Sequence, residues 1–183
     1  MEKFTNLNNK IVIFGMSCAG KTTFANRLKE HTYYCFDALF QWHTIETLGL
    51  PISENLKYIQ NYCCKDKFVL DGWHLSDTDG LYLPPESVVY VVWASYQKII
   101  NQYRVPIINF NEHWHMYEKW YLKINYQNLP CVRFFENYDD FKEISQNEFN
   151  DNLKKDYIIF SKHNQQNPSS FETLGNFQNR FVR

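Results

Sequence analysis

The stretch Ile11–Leu28, IVIFGMSCAGKTTFANRL, decides how the chain is read. Ile11 to Phe14 are stiff and apolar, and with Lys10 they read as a short buried strand. The run breaks at Gly15, and a second glycine, Gly20, precedes Lys21 to His31, where Phe24, Ala25 and Leu28 share one face of a helix. A buried strand, a pliable turn and an amphipathic helix, in that order, describe a strand that stops in order to hold something.

The turn itself, Gly15-Met16-Ser17-Cys18-Ala19-Gly20-Lys21-Thr22, fits G-x-x-x-x-G-K-[ST]. Its glycines open backbone angles closed to other residues, so that successive N–H groups can converge on phosphate oxygens. The helix that follows aims its positive dipole end at the same oxygens. The residues expected to hold a nucleotide are Gly15, Ser17, Cys18, Ala19, Gly20, Lys21, Thr22 and Thr23. Lys21 brings a point charge to the β- and γ-phosphates, and the Thr22 hydroxyl is a ligand for Mg2+. An ordinary Gly-rich turn would leave the Lys21-Thr22 pair unexplained. The expected ligand is a nucleoside triphosphate, with ATP and Mg2+ as the cofactors.

Working outward, alternating segments of both kinds follow. Tyr33 to Phe36 is a short strand ending at Asp37, and Phe68 to Leu70 another that ends in Asp71-Gly72. Gln41 to Leu48 and a piece capped by Ser53 read as helices. The segment from Leu75 to Glu86 carries two prolines among polar residues and reads as loop. Val88 to Trp93, VVYVVW, is apolar on both faces, and Ser95 caps a helix to about Arg104. Asn111 to Gln127 reads as helix, Cys131 to Phe135 as a fifth strand, and Asp139 onward as a last helix. Strands apolar on both faces, alternating with helices, describe a parallel sheet covered on both sides. The expectation is a three-layer α/β domain over residues 1–161, with a polar tail over 162–183.

Composition bounds the reading. A chain of 183 residues is one domain's worth, and an aromatic share of 18% is enough for some rings to line a site as well as the core. A net charge of -1 opposes a long contact with a nucleic-acid backbone or an acidic membrane. The five cysteines form no disulfide or zinc pattern and read as reduced thiols. The apolar run at Ile11–Phe14 is too short for a signal peptide, and no segment is long enough to span a bilayer. A soluble, cytoplasmic protein is expected.

On the Gly15–Thr22 motif, Asp37, Asp71 and the order of elements, the segment from Lys10 to about Glu136 resembles the P-loop kinases. That superfamily includes adenylate, shikimate and gluconate kinases and the 5′-kinase of polynucleotide kinase. The resemblance implies five parallel strands in the order 2-3-1-4-5, with a helical lid at about 104–127. It makes Asp71 the Walker B carboxylate of the Mg2+ shell, and Asp37 the acid that binds the acceptor hydroxyl and takes its proton. Each acid also has a plainer reading: Asp71 as a helix N-cap or a turn residue, Asp37 as the cap of a helix beginning near Leu39. Arg104 is the expected catalytic lid arginine, with Lys98, Lys119 and Lys123 as neighbouring cations. It departs from lids that carry several arginines, and a dipole-neutralising role at its helix end is the alternative. Arg27 and Arg133 are further removed. Glu136-Asn137-Tyr138 falls where an adenine-binding loop is expected.

No Asn-Lys-x-Asp stretch points to a GTPase, and Asp71 lacks the following glutamate of a motor ATPase. The expected reaction is transfer of the γ-phosphoryl group of ATP to a hydroxyl of a small molecule, with nucleosides and nucleotides among the candidates. The rings around Asp37 (Phe36, Phe40 and Trp42) suit a flat or sugar-like ligand, and Trp73 and His74 follow Asp71. A nucleic-acid hydroxyl, at a 5′ end or on a modified base, and a nucleotide-binding switch without transfer are the rivals. His113 and His115 stand two apart in a helical stretch, which points them to different sides and opposes a shared metal.

Overall fold

The computed structural model of the chain describes residues 7–16, 18–29, 33–37, 57, 60–71, 85–102 and 132–166. Six strands among them form one sheet: β1 (Lys10–Phe14), β2 (Tyr34–Asp37), β3 (Phe68–Asp71), β4 (Val88–Trp93), β5 (Val132–Asn137) and β6 (Phe141–Ile144). Their spatial order is β2-β3-β1-β4-β5-β6. The first five strands in this order pair parallel, whereas β5 and β6 pair antiparallel. The expected five-stranded, wholly parallel sheet is corrected accordingly. The sheet is mixed and runs one strand further, because the chain turns back at Tyr138–Asp140 and lays Phe141–Ile144 along the open edge of β5.

β1, β3 and β4 lie inside the sheet, and their side chains account for their pairing. Ile11, Val12 and Ile13 are fully buried, as are Phe68, Val69 and Leu70 and the centre of β4. Strands that meet protein on both faces have no polar side to display, so they read as continuous apolar runs. Helix α1 (Lys21–Lys29) follows β1 and lays Phe24, Ala25 and Leu28 on the sheet. Phe24 meets the rings of Phe135 and Phe141 at 4.9 and 4.8 Å between centroids, so the helix behind the Gly15–Thr22 turn is anchored to β5 and β6.

Helix α2 (Tyr96–Gln102) follows β4 and starts as expected, with the Ser95 Oγ accepting from the Lys98 N–H at 3.3 Å. Helix α3 (Gln146–Gln166) replaces the helix expected from Asp139 and continues past Lys162. Its Asp156 is 3% exposed and joins two elements. Oδ2 accepts from Trp93 Nε1 and Oδ1 from the Tyr96 N–H, both at 2.9 Å, tying the end of β4 to the start of α2. Burial pushes its carboxyl up to about 6, against the opposing pull of the Tyr96 N–H and the Trp93 indole.

Among the described residues no helix is long and apolar enough to cross a membrane. The expected lid at 104–127, including Arg104, Lys119 and Lys123, lies outside them, as do Ser17, Trp42, Trp73, His74, His113 and His115.

Candidate functional site

The parallel strands β1 to β5 bring their C-terminal ends to one edge of the sheet, and the Gly15–Thr22 turn leaves β1 at the middle of that edge. An open α/β sheet offers its binding crevice there. Gly15 is fixed by crowding: a Cβ at this position would stand 2.4 Å from the Val92 carbonyl oxygen of β4, a backbone atom that cannot swing aside. Cys18 has φ 65° and Gly20 φ 95°, so positive-φ residues flank Ala19 across Cys18–Gly20. Such an arrangement curls successive N–H groups toward a common centre, the geometry of an anion-binding nest.

The loop is closed internally by the Met16 carbonyl, which accepts from the Ala19 N–H at 3.1 Å and from Lys21 Nζ at 3.0 Å. The ammonium is therefore tied to the turn's own backbone. The Gly20 carbonyl accepts from the Phe24 N–H at 2.9 Å, which opens α1. No acidic residue occupies the first turn of α1, so its positive end is not neutralised by its own side chains, while Arg27 and Lys29 stand at its negative end. Thr22 and Thr23, on that first turn, are exposed.

Beside the turn, β2 and β3 end in register, with Asp37 opposite Asp71. Adjacent strands lie about 4.8 Å apart, so the backbone sets two carboxyl-bearing positions side by side. Asp71 is 2% exposed and closes a fully buried strand. Continuing the β1–β3 register by one residue sets Asp71 level with Ile13, two positions before Gly15.

On the other side, an open hollow of about 500 Å³ is lined by Cys18, Gly20, Thr23, Asn101 and Gln102. It joins the nest to the end of α2, and the Cys18 thiol reaches the Gln102 carbonyl at 3.8 Å. Volumes of this order hold small organic ligands. The residues fit a triphosphate and its metal: a curled loop whose two glycines leave no room for a Cβ, an ammonium tied to its backbone, and a threonine hydroxyl and a buried carboxylate as oxygen donors for Mg2+.

Two expectations change here. Glu136 and Asn137 belong to β5 and not to a loop beyond it. Lys98, considered as a lid cation, is turned to the end of β5. Its ammonium donates to the Asn137 carbonyl at 3.1 Å, to Asn137 Oδ1 at 3.0 Å and to the Tyr138 carbonyl. Arg27 pairs with Asp140 and lies over the Phe141 ring, and Arg133 pairs with Glu143 on β6, so both serve the β5–β6 edge. The sequence reading missed Asn137 as a side chain of the nest: its Nδ2 donates to the Ala19 carbonyl at 2.8 Å across 118 positions of chain. No local pattern signals a contact of that range.

No protein-family model and no curated protein matches the chain. Among solved structures the chain is similar to shikimate kinase from Aquifex aeolicus vf5, with 13% identity, 87% of this chain and 99% of that chain covered, and a TM-score of 0.48.

Proposed function

We propose that this protein is an ATP- and Mg2+-dependent phosphotransferase that moves the γ-phosphoryl group onto a hydroxyl of a small molecule, with nucleosides and nucleotides among the candidate acceptors. The observation that carries the reading is the conjunction at one sheet edge. A nest of positive-φ residues ties the Lys21 ammonium to its own backbone, and the register pair Asp37 and Asp71 stands beside it.

Phosphoryl transfer asks little covalent chemistry of a protein and much positioning and charge compensation. In this reading the amides of Ser17 to Thr22 and the start of α1 grip the phosphate tail, and Lys21 exchanges the Met16 carbonyl for phosphate oxygens. Thr22 and Asp71 would hold the metal, which would supply charge neutralisation on the phosphates. Asp37 orients the acceptor hydroxyl and accepts its proton. The hollow beside Cys18 and Gln102 receives the nucleoside end of ATP, and Arg104 is assigned to the transferred group.

The test is incubation with γ-labelled ATP and a panel of nucleosides, sugars, other small alcohols and hydroxyl-bearing oligonucleotides. Label on a small acceptor is the expected result, and label on oligonucleotides alone would move the acceptor to the nucleic-acid class. Asp37→Ala separates an enzyme from a switch. It should retain ATP binding and lose transfer by about a hundredfold or more, whereas a wild-type protein that binds ATP and labels nothing would contradict the proposal.

A further inference from the structure

We infer that Asn137 is a positioning residue of the phosphate nest, and that Lys98 sets its side chain. The inference rests on the phosphotransferase reading above and adds to it how the nest keeps its shape before a nucleotide arrives.

The Asn137 amide stands between two groups that can be satisfied in only one way. A carbonyl can only accept and an ammonium can only donate. The Ala19 carbonyl therefore requires Nδ2, at 2.8 Å, and Lys98 requires Oδ1, at 3.0 Å. Lys98 also grips the Asn137 and Tyr138 carbonyls, so its three donors all serve the end of β5 and the amide has no freedom to flip.

The consequence falls on Gly20. In a trans peptide the C=O and N–H point to opposite sides. Pinning the Ala19 carbonyl to Asn137 therefore directs the Gly20 N–H away from β5. The Gly20 carbonyl is pinned in turn by the Phe24 N–H at 2.9 Å, which fixes the direction of the Lys21 N–H. Both peptide planes flanking Gly20 are thus set from outside, and the φ of 95° is the angle that joins them. Asn137 Nδ2 also occupies the space 2.4 Å from where a Gly20 Cβ would stand, so the glycine and the amide form one fitted contact. A nest that is oriented beforehand avoids the ordering cost that a slack loop would meet on binding.

The experiment measures binding of Mg·ATP and of inorganic tripolyphosphate to the wild type, Asn137→Ala, Asn137→Asp, Lys98→Met and the Asn137→Ala/Lys98→Met double variant, with unliganded melting curves. Asn137→Asp keeps the acceptor for Lys98 and removes the donor to Ala19, but it also brings a negative charge to the nest, so the size of the effect is read from the uncharged Asn137→Ala. Losing that one oriented hydrogen bond should weaken both ligands by about tenfold. In transfer assays the loss should appear in KM for ATP, with kcat within about twofold. Lys98→Met should weaken binding less than Asn137→Ala, and the double variant should be no weaker than Asn137→Ala alone, because Lys98 acts through the amide. Full ATP affinity in both Asn137 variants would overturn the inference and leave the kinase reading standing. So would losses that add and follow a fall in melting temperature, which mark a merely structural contact. A wild type that binds no ATP would remove the reading and the inference together. Should Asn137→Ala fail to fold, Asn137→Asp and Lys98→Met carry the decision.

Discussion

At Gly20 two demands meet in one residue. Its φ of 95° is strained for any L side chain, and a Cβ there would collide with an amide held at both ends. Gly20→Ala should cost about 1–3 kcal/mol of stability and weaken ATP binding, read by chemical denaturation and by titration. Gly15→Ala meets a backbone oxygen instead, Val92 O, and should displace the turn from β4 with a comparable loss of binding. Cys18, at φ 65°, supplies the contrast. Cys18→Gly removes a side chain from the left-handed region, so binding should survive it. The two glycines were legible in the sequence because the motif names positions where the backbone leaves no room for a side chain. Asn137 was not legible, since an amide becomes part of a phosphate nest only when β5 is laid two strands from β1.

Among elements, Asp156 links β4, α2 and α3 through two hydrogen bonds in a buried setting. Its carboxyl, raised from 3.8 to about 6, binds a proton in the native state that the unfolded chain has already released between those values. Stability contributed by this group therefore falls as pH rises from about 4 to 6 and is level above that. The wild type minus Asp156→Asn difference in unfolding free energy should decline across this window by about 3 kcal/mol. A flat difference between pH 4 and 6.5 would show that the site does not titrate there.

The same scale shows where sequence patterns mislead. VVYVVW, the most strand-like segment of the sequence, is the two-sided strand Val88–Trp93. Phe141-Lys142-Glu143-Ile144 has buried ends and exposed middle residues, a spacing of three that imitates a helical turn. It is a strand because β5 offers an open edge, and because Arg133 reaches Glu143 through a paired guanidinium and carboxylate at 2.7 Å. The deciding partner lies in another strand, so a local period could not reveal it.

For the whole molecule, a net charge of -1 leaves little long-range attraction for a polyanion. If the acceptor is a metabolite, raising salt from about 50 to 200 mM should change its KM by less than about threefold, whereas a surface neutralising six to ten phosphates loses about a thousandfold or more. A steep salt dependence would return the acceptor to the nucleic-acid class. The sheet explains why the chemistry collects where it does. Five parallel strands deliver the nest, Asp37, Asp71 and the amide of Asn137 to one edge, although these residues are scattered from position 15 to position 137 of the chain.

The central claim is that the Gly15–Thr22 turn grips the tail of ATP and that Lys21 carries charge compensation for its transfer. The most direct measurement is the rate of phosphoryl transfer from γ-labelled ATP by the wild type and by Lys21→Ala under saturating Mg2+, with folding checked by melting. The account predicts a loss of about a hundredfold or more in a protein that still folds. Transfer by Lys21→Ala at the wild-type rate would contradict it.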